Sequence, residues 1–157
     1  NIPKPYSSVR FGISAIIAML HDALLLLGVF SILGKFLGVE IDALFITAVL
    51  TVIGFSIHDS IVVFDRVREN LKKLPGSWDF EQVVNFSIVE TLNRSFATSL
   101  TVMVTLLSLY ILGGESIKYF VLALLIGILS GTYSSIFTAS PILVMWEDHI
   151  LKKKKDS

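Results

Sequence analysis

The chain has 157 residues, 54% of them hydrophobic, and a mean hydropathy of +0.76. So apolar a composition does not fit a water-soluble domain of this length. Thirteen basic and thirteen acidic residues cancel, leaving no nucleic-acid footprint, and the lack of cysteine excludes disulfides and thiolate metal sites. Four segments exceed the ~18 apolar residues that mark a transmembrane helix. They cover approximately 9–33, 43–64, 95–112 and 119–146. The expected fold class is therefore all-α, a polytopic helical bundle in the membrane. Residues 1–8 read as an N-terminal loop containing Pro3 and Pro5, residues 9–146 as the transmembrane domain, and 147–157 as a basic cytoplasmic tail. No cleavable signal peptide is expected.

In the first span, Ala15, Ala18 and Asp22 share a face, with His21 beside Asp22. Asp22 lies twelve residues past Arg10, about 18 Å deep at 1.5 Å per residue, near the midplane. It reads either as a second relay position or as a neutral, hydrogen-bonded structural group. The second span carries Ile46, Leu50, Ile53, Ile57, Ile61 and Phe64 at three- and four-residue steps, a lipid-facing stripe. Asp59 and Ser56 lie roughly opposite it, so Asp59 is expected to point into the bundle. A carboxylate in hydrocarbon is costly and usually faces a partner, a cavity or a proton path.

Between Pro75 and Arg94 the sequence predicts an amphipathic helix at the cytoplasmic interface, over about 78–92. Ser77 is the expected N-cap, Asp79 and Glu81 stand in the first turn, and Phe80, Val83, Val84, Ile88 and Leu92 form the apolar side. In the third span Thr91, Arg94, Thr98, Thr101, Thr105 and Ser108 fall on one face, and Phe96, Leu100, Met103, Leu107 and Tyr110 on the other. The hydroxyl stripe reads as packing glue or, with Arg94 at its head, as the lining of a hydrated path. The fourth span shows Ala123, Gly127, Gly131, Ser134 and Thr138 on one face. Gly127 and Gly131 permit close helix packing, and Pro141 is expected to kink the inner end or to end the regular helix.

Four spans put both termini and the loop from Asp65 to Arg94 on one side. That side carries eleven lysines and arginines: Lys4, Arg10, Arg66, Arg68, Lys72, Lys73, Arg94 and Lys152 to Lys155. The other side has two, Lys35 and Lys118. The asymmetry predicts cytoplasmic termini, with the closing lysine run against anionic lipids. Two intramembrane aspartates, Asp22 and Asp59, also raise an intramembrane aspartic protease, but Leu-His-Asp and Ile-His-Asp are not that class's motifs. His21, His58 and His149 place no four-ligand metal site, and no Gly-rich phosphate loop is present. No metal and no cofactor are expected.

The run Phe55-Ser-Ile-His-Asp-Ser-Ile-Val-Val-Phe-Asp-Arg-Val-Arg-Glu-Asn70 resembles the signature of the SecD/SecF family, RND-superfamily subunits of bacterial protein export, and specifically its SecF branch. Leu20-His-Asp22, Thr91-Leu-Asn-Arg-Ser-Phe-Ala-Thr-Ser99, Gly113-Gly114 and Gly127-Ile-Leu-Ser-Gly-Thr-Tyr-Ser-Ser-Ile-Phe-Thr-Ala-Ser-Pro141 match further family blocks in order. The resemblance implies a six-helix membrane domain and a partner, SecD, of the same plan. It also implies association with the SecYEG channel in the bacterial inner membrane and use of the proton-motive force to help move preproteins. Such a subunit is not an enzyme, and its cofactor is the proton gradient alone. The proton-path aspartate and arginine of the family fall on Asp59 and Arg94, with Thr98 a weaker carry-over.

Two departures stand out. The family's first helix, periplasmic domain and second helix have no counterpart in the four spans, so a fragment, a split gene or an excised domain is expected. His58 occupies the position where the family usually has asparagine. Histidine titrates near neutral pH, so His58 either joins the relay or hydrogen-bonds as asparagine would. Asp59 lies about 10 Å above the charge cluster at Asp65 and Arg66. An ion pair between Asp59 and Arg94, broken by protonation, is the expected working element. A structural module without proton coupling and a small-molecule exporter are the alternatives.

Overall fold

The computed structural model describes residues 7–74 and 78–155, without the side chains of 151–155. The N-terminal loop expected over 1–8 and the Ser77 cap fall largely or wholly outside the described residues. Four helical rods make up the chain: α1 (Ser8–Leu37), α2 (Ala43–Lys73), α3 (Phe80–Leu112), and a last rod of α4 (Lys118–Ser134), a π turn (Ser135–Ala139) and α5 (Ser140–Lys155). All four are long and apolar enough to cross a membrane.

The helix ends follow local chemistry. Gly38 closes α1 in the left-handed region at φ 66°, where a Cβ would be strained, and its N–H caps the Gly34 carbonyl 3.1 Å away. Asp42 opens α2 by accepting from the Phe45 N–H at 2.9 Å. At the start of α3, Asp79 holds the cap position and Gln82 Oε1 accepts from its N–H at 3.1 Å. The separate interface helix and third span are joined in the structure as one unbroken α3. Charges at Glu90 and Arg94 interrupt the apolar pattern, but no glycine or proline lies between them to stop the helix. Proline does act in the last rod: the π turn ends at Ala139, two residues before Pro141. A wider turn relieves the clash between a proline ring and the carbonyl four residues earlier.

α4 packs against α1, α2 and α3. The buried stripe of α1 is Phe11, Ser14, Ala18, Asp22, Leu26 and Phe30, a regular three- to four-residue series. Two apolar cores result. One contains Leu26, Phe30, Phe45, Val52, Leu106 and Ile128; the other, nearer the basic end, contains Phe11, Val63, Phe64, Val67, Val84 and Leu143. On the expected lipid stripe of α2, Ile46, Leu50 and Ile61 are exposed, but Phe64 is not. It meets Phe11 edge-on, with ring centroids 5.4 Å apart. At this end α1 and α3 close around α2, so the stripe stops one turn early.

Ion pairs tie the basic end. Arg66 holds Glu90 and Glu69, and Asn70 donates to Ser87 Oγ and Glu90 Oε2, both at 3.0 Å, locking the α2–α3 hairpin. Arg10 of α1 pairs with the fully buried Glu147 of α5. Gly127 sets the α2–α4 spacing: a Cβ there would lie 2.1 Å from a Val52 methyl. At Gly131 a Cβ would meet Ser56 Cβ at 3.4 Å, an ordinary contact. Gly127→Ala is therefore expected to destabilise the bundle by about 1–3 kcal/mol through overpacking, and Gly131→Ala by less. Adding Val52→Ala should recover much of the Gly127→Ala loss. Thermal unfolding in detergent checks the order; equal effects of the two glycine substitutions would contradict it.

Candidate membrane carboxylate site

Between the two apolar cores lies a polar layer built by short side chains. Asp22, on α1, is completely buried. Its Oδ2 accepts from Ser56 Oγ at 2.5 Å and Ser134 Oγ at 2.6 Å, and its Oδ1 from Ser130 Oγ at 2.9 Å. His21 Nδ1 stands 3.2 Å from Oδ1, its ring on the outer surface. One carboxylate thus joins α1 to α2 and α4.

Asp59, on α2, is 8% exposed. Its Oδ1 accepts from Ser95 Oγ of α3 at 2.8 Å, and its Oδ2 from Ser135 Oγ, the first residue of the π turn, at 2.6 Å. The neighbouring hydroxyls of Ser99 and Thr132, 2.6 Å apart, extend the layer between α3 and α4. Asp59 points inward, as its helix phase predicts. Asp22 and Asp59 each have their own serine donors and share no hydrogen bond among the described residues, unlike paired catalytic carboxylates that hold one proton between them.

The structure differs over Arg94. No ion pair joins Arg94 to Asp59 among the described residues; the guanidinium lies on the exposed side of α3. It still shares a cavity of about 40 Å³ with Phe55, His58, Asp59, Val62, Ser95 and Thr98. That is room for about one water molecule. The cause is helix phase: Ser95 follows Arg94 by 100° and takes the inward place. Thr98 is exposed and returns its hydroxyl to the Arg94 carbonyl at 3.0 Å. Thr101, Thr105 and Ser108 do the same to the carbonyls four residues back. From Thr98 onward the expected hydroxyl stripe is thus an outer face, with no donor left for a neighbouring helix, whereas Thr91, expected on the same stripe, is buried. The face that enters the bundle is Ser87, Thr91, Ser95 and Ser99, a strict four-residue series that was present in the sequence beside the threonine stripe. Ser95, Ser130 and Ser135 are the site residues that sequence reasoning missed; the Ser134-Ser135 pair beside GxxxG was the available signal. Gly127 and Gly131 lie on the face of α4 that meets α2, and the missing Cβ of Gly127 lets the two helices come close. No group of histidine and carboxylate side chains among the described residues could hold a metal ion.

Residues 6–149 match the family model for the protein export membrane protein SecD/SecF, C-terminal. The chain belongs to the SecD/SecF family. It is 67% identical to the protein translocase subunit SecF of Thermobaculum terrenum over 139 residues, covering 88% of this chain and 44% of that protein. It is 47% identical to the SecF subunit of Synechocystis over 145 residues, covering 90% of this chain and 46% of that protein. The chain thus spans less than half the length of these relatives. Among solved structures, SecDF in a super-membrane-facing form superposes with a TM-score of 0.87 at 41% identity, over 94% of this chain and 19% of that one. SecDF of Thermus thermophilus, described as a translocon-associated membrane protein, gives 0.82 at 42% identity over 90% of this chain and 19% of that one. The four-helix bundle matches part of the SecDF membrane structure.

The serine cage gives a stability prediction. Asp22→Leu leaves three buried hydroxyls without an acceptor and should cost about 3 kcal/mol or more, whereas Asp22→Asn keeps an acceptor oxygen and costs less. Unfolding temperatures in detergent should fall in that order; an Asp22→Leu bundle as stable as the unmodified one would rule out a structural role for the cage.

Proposed function

We propose that this chain is the membrane part of a SecF-type subunit that works with SecD and the SecYEG channel, using the proton-motive force to assist preprotein translocation. Asp59 carries the proton, Arg94 responds to its charge, and His58 and Thr98 complete the cavity around them. The carrying observation is a carboxylate held inside a membrane bundle by hydroxyls of two other helices, with an arginine on the same cavity. A side chain of that cost marks an ion or proton path more often than a static joint. Asp22, buried away from the cavity among its own serines, has the more structural place in this reading. The location is the bacterial inner membrane with both termini of the chain cytoplasmic, supported by the eleven-to-two distribution of basic residues. The basic run 152–155 then adds charge suited to anionic lipids on that side.

The mechanism adapts the ion-pair scheme to the observed geometry. With Asp59 ionised, Ser95 and Ser135 donate to it and Arg94 supplies positive charge from the cavity. Protonation removes the attraction for Arg94, whose guanidinium is then free to move toward solution. A charge crossing the full membrane potential gains about 2.3 kcal/mol per 100 mV, enough to shift a helix equilibrium about fifty-fold. Family membership supports a transport subunit over a protease.

Asp59→Asn and Arg94→Met are each expected to reduce proton-driven export at least tenfold in cells while the subunit still assembles. Stalled preprotein, followed by pulse-chase, is the readout. A structural module without proton coupling predicts undiminished export in both variants, and that result would refute the proposed mechanism.

A further inference from the structure

The hydroxyl of Ser135 has one proton and two acceptors within reach. Its Oγ lies 2.6 Å from Asp59 Oδ2 and 3.0 Å from the Thr132 carbonyl oxygen. The side chain is fully buried, which leaves these groups as its partners. A serine hydroxyl can donate once and accept at two lone pairs. We propose that Ser135 is a positioning residue that transmits the protonation state of Asp59 to the backbone of the last span. This rests on the reading of Asp59 as a group that gains and loses a proton.

With Asp59 ionised, Ser135 donates to Oδ2. With Asp59 protonated, the new carboxyl O–H donates to Ser135 Oγ, and Ser135 turns its own proton to the Thr132 carbonyl. The serine neither gains nor loses a proton; the direction of its hydrogen bond reverses. The carbonyl that receives it belongs to the last turn of α4, and Ser135 itself opens the π turn. Ser140 Oγ donates to the Ser135 carbonyl at 3.2 Å, across that turn. An added donor at Thr132 competes with the backbone bond to that carbonyl, at the point where the ladder already changes register.

The residue before it acts as a fixed pin. Ser134 donates to Asp22, which α2 and α4 hold from three sides. A change at Ser135 is therefore resisted toward α4 and passes toward α5. Among the described residues, the titratable or charged side chains on the Asp59 cavity are His58 on its own helix and Arg94 on α3; Asp22 of α1 is bonded by Ser134, the residue next to Ser135. The π turn and the start of α5 present hydroxyls to it, from Ser135 and, one bond further, Ser140.

Infrared difference spectra between high and low pH, taken on the chain in its membrane complex, test this. Asp59→Asn should remove a protonated-carboxyl band. Ser135→Ala should move that band to higher frequency, as for a carboxyl that has lost a hydrogen-bond partner, and should flatten the accompanying backbone amide change. Ser135→Thr, which keeps the hydroxyl, and Ser134→Ala, which faces Asp22, should leave the band in place. An unmoved band in Ser135→Ala, an equal shift in Ser134→Ala, or a Ser135→Thr band displaced as far as in Ser135→Ala overturns the role of Ser135 alone. A band that survives Asp59→Asn overturns the protonation of Asp59, and this inference with it.

Discussion

A carboxylate inside a membrane bundle must find donors, because lipid offers none. Asp22 and Asp59 meet that demand with five serines: Ser56, Ser130 and Ser134 for the first, Ser95 and Ser135 for the second. These contacts fix more than the aspartates. Apolar helices in lipid gain little from burying one face rather than another, so packing and polar contacts must set their rotation. Each of the four rods places at least one group in this layer, and each group specifies which side of its rod faces in.

The choice of serine has a geometric consequence. Its hydroxyl stands one atom from Cβ, so it can reach a carboxylate on another helix only if the two backbones approach closely. Gly127 makes that approach possible between α2 and α4 by leaving room for Val52. The apolar cores on either side of the layer exclude water and place the hydrogen bonds in a low-dielectric interior, where they are strong and their loss is costly. Small residues, short hydroxyls and buried aspartates are thus parts of one solution.

Hydropathy alone made the four spans legible, because bilayer thickness sets a length that few other constraints imitate. Asp59 was legible as inward-facing because α2 has one clear lipid stripe to oppose it. The third span was not, and the reason is specific. It carries two polar series about 100° apart, Arg94-Thr98-Thr101-Thr105 and Ser87-Thr91-Ser95-Ser99, and helix phase cannot rank them. What decides between them is the acceptor on another helix, Asp59, which is tertiary information. The burial of Phe64 has the same origin, since it depends on where α1 and α3 converge. The π turn was only partly legible: Pro141 announced an irregularity, and the structure places it in Ser135–Ala139, ending two residues before the proline.

If Asp59 gains and loses a proton as proposed, serine and arginine differ in what they do for it. A hydroxyl donates to the anion and accepts from the acid, so Ser95 and Ser135 keep Asp59 hydrogen-bonded in either state. A guanidinium only donates and keeps its charge, so Arg94 tells the two states apart. Had Arg94 taken the inward place of Ser95, one state would hold a buried ion pair and the other a buried lone cation, a gap of several kcal/mol. With serines in contact and arginine in the adjoining cavity, that gap narrows toward the few kcal/mol a proton can supply. The 100° step between Arg94 and Ser95 therefore places the discriminating group near the carboxylate without burying it beside Asp59.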